Sequence, residues 1–332
     1  MHRRDALTRL ALGGIAGVAA CSDAAGPLAA GESLLRLGAG SSNDHTTRRA
    51  DTMKHHTITG GGGTLLHLVE TGNPRGQPIL FIHGFSQCSL VWDRQLDSGI
   101  LRRHRLVTMD MRGHGSSERP LEGYGDSRRW ADDVEVAIRE LSLDQPILCG
   151  WSYGPLVILD YIRHYGEERI GGIHIVGGIS KLGSTDALSL LTPEILGLVP
   201  GLFSRDAEQS VGSLESLVRL FSVHELSTAE LYTMLGWNAS VPPFVRQALF
   251  SRVIDNDDVL RSIRTPVLIT HGREDAIVKL EAVERHHAQL PHAQIDIMPN
   301  AGHAPFMDDP DSFNRRLAEF CAAARAELPA QR

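Results

Sequence analysis

The stretch 147-ILCGWSYGPLVILDY-161 sets a Gly-x-Ser-x-Gly between two apolar runs. The first run (145–150) reads as a strand, and the second (155–166) as a helix. A serine at that pivot has two readings. It is either a tight turn that contains a serine, or a nucleophile held up at the end of a sheet. In the second reading Gly150 and Gly154 flank Ser152 because side chains there would collide with the adjoining strand and helix. The helix that follows aims its N-terminus at the hydroxyl and favours developing negative charge. The motif alone decides little. Its weight comes from what the other strand ends carry.

Working outward, residues 78–83, 105–110 and 170–178 are continuous apolar runs of the kind buried on both faces of a parallel sheet. Between them, 127–141 spaces Trp130, Val134, Ala137, Ile138 and Leu141 along one helical face. This alternation predicts an α/β fold with a doubly wound, mainly parallel sheet. Residues 57–72 read as two strands around Gly60–Gly63. Those glycines precede a strand, so they form a loose hairpin turn and not a dinucleotide fingerprint. From 183 to 258 the patterns are helical with no strand of comparable strength, which predicts a helical cap inserted into a core of 57–182 and 259–328. Strands resume at 265–272 and 293–299, and an amphipathic helix (312–328) closes the chain.

Among 332 residues, 42% are hydrophobic and 22% charged, ordinary for a globular protein. The net charge of -7 argues against a nucleic-acid partner, because phosphate binding needs clustered cations. The four cysteines (Cys21, Cys88, Cys149, Cys321) lack metal-site spacing, and four are too few for a disulfide framework in a chain this long. Residues 1–21 pair Arg3-Arg4 with a small-residue apolar stretch, like a twin-arginine export signal. "VAAC" at 18–21 is like a lipoprotein processing site that would leave Cys21 lipidated, the one membrane contact foreseen. This predicts an exported protein, with 22–56 as a flexible linker. The competing expectation is a cytoplasmic protein translated from Met53.

A serine hydroxyl is a weak nucleophile and requires a base. Asp275 in "GREDAIV" follows the 265–272 strand, and His303 in "NAGHAPF" follows the 293–299 strand. Both stand at the carboxyl ends of parallel strands, where open α/β sheets bind ligands. The chain order Ser152, Asp275, His303 is the one an α/β nucleophile elbow uses. An oxyanion needs donors, and the backbone N–H groups of Phe85 and Tyr153 are the expected pair, with His83-Gly84 shaping the loop before Phe85.

Taken together, "FIHGF", "DMRGHGSS", "GWSYG", "GREDAIV" and "NAGHAPF" make residues 57–325 resemble the α/β-hydrolase family, in its serine esterase and non-haem haloperoxidase branch. The resemblance implies Ser–His–Asp chemistry with no metal and no organic cofactor, acting on a small-molecule ester. One departure is Pro155, where many members carry a second glycine. Proline is tolerated in a helix's first turn, so the elbow survives, while the pocket floor is expected to change. Serine at 152 argues against dehalogenase or epoxide hydrolase chemistry, which needs a carboxylate nucleophile.

The remaining readings are structural. His83 and His114 serve as loop-shaping residues, and His55-His56 and His286-His287 as solvated pairs. Asp110 comes too early in the chain to displace Asp275, Cys149 is a packed small hydrophobe and Trp151 a packing residue beside the elbow. Met234, Leu235 and Trp237 serve equally as cap core or pocket wall. Besides ester hydrolysis, the same groups would serve a perhydrolase or haloperoxidase, a C–C bond or lactone hydrolase, or a ligand-sensing protein of this fold.

Overall fold

The computed structural model describes residues 53–327. The export segment expected at 1–21, and the linker as far as residue 52, lie outside the described residues. Among the described residues, no helix is long and apolar enough to cross a membrane.

The sheet opens with β1 (Lys54–Thr59), β2 (Leu65–Gly72), β3 (Pro78–Ile82) and β4 (Arg105–Met109). It continues with β5 (Ile147–Trp151), β6 (Gly172–Val176), β9 (Val267–Gly272) and β10 (Gln294–Met298). The spatial order is β1-β2-β4-β3-β5-β6-β9-β10. Only β2 runs against its neighbours, and the six strands from β4 to β10 are parallel.

Every residue of β3, β5 and β6 is buried, because helices cover both faces of the sheet. The two faces can be told apart along β5. Cys149 lies against His174 of β6, whose ring stacks on Phe313 of α10 (Pro310–Glu327). At the next position, Gly150 abuts the start of α2 (Gly154–Tyr165). Successive strand residues point to opposite faces, so α2 and α10 cover opposite faces and the sheet is doubly wound.

Helix α1 (Ser127–Glu140) starts where the Asp126 side chain accepts the Arg128 N–H, and it packs on α2. It buries Trp130, Val134, Ala137 and Ile138, and each large apolar side chain so placed contributes roughly 1.5–3 kcal/mol. Asp133 on the same face is buried too, and Arg112 pairs with both of its oxygens at 2.6 and 2.7 Å.

Between β6 and β9 the chain leaves the sheet. Strands β7 (Lys181–Leu182) and β8 (Ile254–Asp255) pair antiparallel and tie together the two ends of this excursion. It contains α3 (Thr185–Ser189), α4 (Pro193–Leu202), α5 (Ala207–Arg219), α6 (Thr228–Ala239) and α7 (Pro243–Phe250). After β8 come α8 (Asp257–Ser262) and α9 (Glu281–Gln289).

Several sequence expectations need correction. The linker does not reach residue 56, because β1 already pairs with β2 from Lys54 onward. Gly60–Gly63 is not a loose turn. Gly61–Gly63 forms a single 3₁₀ turn, the Gly61 N–H donates to Asp133 and the Gly61 carbonyl accepts from Arg112. His286 is buried and not solvated, since its face of α9 packs inward. His56 is also engaged, with Glu70 at 3.0 Å. Within the span read as helical, α3 and α4 are separate helices, divided where Thr192 caps α4 and Pro193 opens it. Helix α7, inside the span read as helical, opens with a proline in its first turn.

Candidate active site

The elbow is the sharp turn between β5 and α2. Ser152 sits at φ +57°, a conformation that costs a non-glycine residue about 1–3 kcal/mol and must be held from outside. Its N–H donates to the Val176 carbonyl at 2.9 Å, and its own carbonyl accepts from Ile179 at 3.4 Å. Side chains are excluded on either side. A Cβ on Gly150 would stand 2.7 Å from the Pro155 nitrogen, and one on Gly154 2.5 Å from the Ile82 carbonyl. Pro155 fits in the first turn of α2 and packs toward Gly178. It is not among the residues lining the cavity at Ser152.

From the ends of β9 and β10 two loops bring Asp275 and His303 to this elbow. His303 Nε2 lies 2.9 Å from Ser152 Oγ, and His303 Nδ1 lies 2.8 Å from Asp275 Oδ2. The side chains of His303 and Asp275 are each only 1% exposed. Asp275 Oδ1 accepts the backbone N–H groups of Ile277 (2.8 Å) and Val278 (2.9 Å). Burial by itself would raise the Asp275 pKa. The His303 imidazole, His271 and the Val278 N–H outweigh it, and the carboxyl stays below its ordinary value. An ionised carboxylate only accepts, so the hydrogen resides on His303 Nδ1, and Nε2 is left to accept from the serine hydroxyl.

Sequence reasoning missed what holds these loops. Trp151 is more than packing: its indole N–H donates to the His303 carbonyl at 2.8 Å. The cap contributes as well, since the Phe221 carbonyl accepts the Ala304 N–H at 2.7 Å. Thr192 bonds to Ala276 (2.6 Å) and Ile277 (3.0 Å), and Leu190 accepts from Lys279 (2.9 Å). The loop carrying Asp275 is thus knitted to the insertion. Nothing local in the sequence signals these ties, because their partners lie many residues away.

Opposite the elbow, His83 braces the loop before Phe85. Its Nδ1–H donates to the Gly84 carbonyl at 2.8 Å, and Nε2 accepts the Met111 N–H at 3.0 Å. Burial lowers its pKa, so this neutral tautomer persists. His114 likewise bonds to the Arg112 carbonyl at 2.9 Å, and burial depresses its pKa to about 3. Gly84 comes so near the elbow that a Cβ there would lie 3.0 Å from Ser152 Cβ. Phe85 and Tyr153 both line the cavity at Ser152, and Tyr153 stands at the N-cap of α2, where backbone N–H groups lack helical partners. Asp110 is engaged elsewhere, accepting from His67, Ser89 and Ser116.

The cavity itself is about 50 Å³ and apolar, walled by Phe85, Leu191, Ile195, Leu217, Phe221 and Phe250. Phe250 packs edge-on against Phe85. Met234 and Trp237 do not reach this cavity; they line a separate surface groove with Leu90. Leu235 packs at the edge of the core. Just behind the elbow, Arg252 pairs with Asp160 of α2 at 2.6 Å and donates to the Tyr153 hydroxyl at 3.2 Å, while that hydroxyl donates to the Leu249 carbonyl at 3.3 Å. Among the described residues, no group of three or more His, Cys, Asp or Glu side chains is arranged to hold a metal ion.

This chain has known relatives. Residues 79–316 match the model of the alpha/beta hydrolase family. An AB hydrolase superfamily protein of Bacillus subtilis is 26% identical, over 74% of this chain and 91% of its own length. A non-haem haloperoxidase of Rhodococcus erythropolis is also 26% identical, over 79% of this chain and 98% of its own. Among solved structures, the esterase RhEst1 from Rhodococcus sp. ECU1013 superposes with a TM-score of 0.77 at 31% identity, over 81% of this chain and 99% of that one. The parallel sheet with flanking helices, the elbow between β5 and α2 and the family match over most of the chain converge. The chain is an enzyme of the alpha/beta hydrolase family.

Proposed function

We propose that this enzyme cleaves small, mostly apolar carboxylic esters through an acyl-enzyme on Ser152. The observation that carries the reading is the unbroken hydrogen-bonded chain Ser152 Oγ–His303–Asp275, opening on a small apolar cavity. His303 Nε2 takes the Ser152 proton as Oγ attacks the ester carbonyl, then delivers it to the leaving alcohol. Asp275 keeps the hydrogen on Nδ1 and stabilises the imidazolium. The N–H groups of Phe85 and Tyr153 receive the oxyanion, and each such donor is typically worth about 2.7–4 kcal/mol in the transition state. Water, activated by the same imidazole, then releases the acid. The small cavity with no charged wall supports short, uncharged acyl groups. The esterase of Rhodococcus sp. ECU1013 supports the same reaction class.

The test is hydrolysis of short p-nitrophenyl esters together with labelling by a fluorophosphonate. Ser152→Ala should lose both, and retention of most of the rate in that variant refutes the reading.

A second reading draws on the haloperoxidase relative. Hydrogen peroxide would replace water as acceptor of the acyl group, yielding a peracid that oxidises halide. Acetate-dependent bromination of a dye separates the two. We also propose that residues 1–21 direct export with processing at Cys21, which N-terminal mass spectrometry distinguishes from a start at Met53.

A further inference from the structure

His271 lies near the end of β9, in the interior, with its imidazole against the loop that carries Asp275. Its Nε2 is 3.0 Å from the Val278 carbonyl and 3.3 Å from Asp275 Oδ2. A carbonyl and an ionised carboxylate can only accept, so Nε2 carries the hydrogen; it donates to the Val278 carbonyl, and Asp275 Oδ2 stands beside the same ring edge. Asp275 Oδ2 is also the oxygen that takes the His303 Nδ1–H. One carboxylate oxygen therefore faces two imidazole nitrogens, while the other is held by two backbone N–H groups.

We propose that His271 is a positioning residue for Asp275: its Nε2–H anchors the Val278 carbonyl of the acid's own loop while its ring edge faces Oδ2, keeping the carboxylate turned toward His303. This rests on the Ser152–His303–Asp275 reading above. His271 touches neither substrate nor serine and acts only through Asp275. The site is dry, with both side chains 1% exposed, so water does not substitute for a missing donor. The Val278 contact ties the same ring to the loop backbone and sets the distance between β9 and the acid. The titratable groups around His271 are Asp275, His303 and, from α9, the buried His286. The two histidines flanking Asp275 divide the work: His303 exchanges protons with Ser152, and His271 stays neutral as a fixed donor.

Removing the His271 ring takes a favourable electrostatic contact from the ionised Asp275, so Asp275 is protonated more readily and the acidic limb of kcat/KM moves to higher pH. His271→Gln keeps an amide N–H near the place of Nε2, whereas the shorter His271→Asn does not reach it. The expected result for His271→Asn is an acidic limb raised by about half to one pH unit. Its kcat should fall about tenfold with KM little changed. His271→Gln should stay close to wild type in all three. Superimposable pH profiles for the two variants overturn the proposal, as does a loss in His271→Asn that merely tracks its thermal midpoint. A measurement on the unaltered enzyme guards against poor folding of the variants. In ¹⁵N spectra of histidine-labelled protein, His271 should be the neutral Nε2–H tautomer throughout the active pH range, and an Nδ1–H tautomer or an imidazolium there overturns the assignment. Fluorophosphonate labelling distinguishes the two levels of failure. A wild type that does not label fails at the serine reading. A wild type and variants that label alike, with unmoved pH profiles, fail at His271.

Discussion

Substituting Gly84→Ala tests the proposed oxyanion role of the Phe85 N–H separately from the proposed roles of Ser152, His303 and Asp275. Gly84 does not occupy the left-handed region, so alanine imposes no backbone strain and its effect is a contact. The added Cβ would meet Ser152 Cβ and Trp151 Cε3, each at 3.0 Å. Carbon atoms prefer about 3.5–4.0 Å, so the loop must retreat by about half an ångström. The elbow is pinned to β6 through Val176, to the segment after β6 through Ile179 and to the His303 loop through Trp151, which leaves the His83–Phe85 segment to yield. Complete loss of one oxyanion donor costs about 10²–10³ in kcat, and a 1 Å misplacement about 10², so a half-ångström retreat should cost roughly 10- to 100-fold. The loss should fall on kcat, because the donor acts on the tetrahedral state more than on the bound ester. The assay is steady-state hydrolysis of p-nitrophenyl acetate, with far-UV circular dichroism and a thermal melt to show the fold intact. A Gly84→Ala enzyme with wild-type kcat refutes the assignment of the Phe85 N–H to the oxyanion.

Three further outcomes follow from the geometry. Arg252→Ala leaves Asp160 buried without its cation and should lower stability by about 3–5 kcal/mol in urea titration, whereas Arg252→Met combined with Asp160→Leu should cost much less. Phe250→Ala removes the ring that meets Phe85 across the cavity; the ratio of kcat/KM for hexanoyl over acetyl esters should rise about tenfold, and an unchanged ratio argues against this wall limiting the acyl chain. Burial depresses the pKa of His174 to about 3 from an ordinary 6.5, so the unfolded chain binds a proton there before the native one does. The resulting stability is fully present above about pH 6.5 and falls at roughly 1.4 kcal/mol per unit below it, about 2 kcal/mol by pH 5. His174→Gln should weaken that acid sensitivity by a similar amount in paired titrations at pH 7 and pH 5.

The insertion is more than a cover. Its Leu190–Thr192 segment bonds to the loop carrying Asp275, and its Phe221 carbonyl holds the loop carrying His303. At its return to the core, Leu249, Phe250 and Arg252 meet Tyr153, Phe85 and Asp160. Substitutions there act on the geometry at Ser152 as well as on the cavity wall.

What the sequence determined by itself is the class of fold and the three side chains, Ser152, Asp275 and His303, that the structure brings together. Runs such as 78–82 and 147–151 are apolar throughout because both faces of a central parallel strand are covered, and that pattern survives in one dimension. Ser152, Asp275 and His303 are readable because each follows a strand within a few residues, so local signals locate them. What only the tertiary structure decided are the relations between distant segments: Trp151 with the His303 carbonyl, His271 with Asp275, Arg252 with Asp160 and the cap's hold on the acid loop. The burial of His286 and the early start of β1 belong to the same group, because each depends on what packs or pairs across the fold. Periodicity records which face of an element is buried. It carries no record of which residue from another element meets that face, and at this site those meetings set the shape of the cavity and the orientation of the acid.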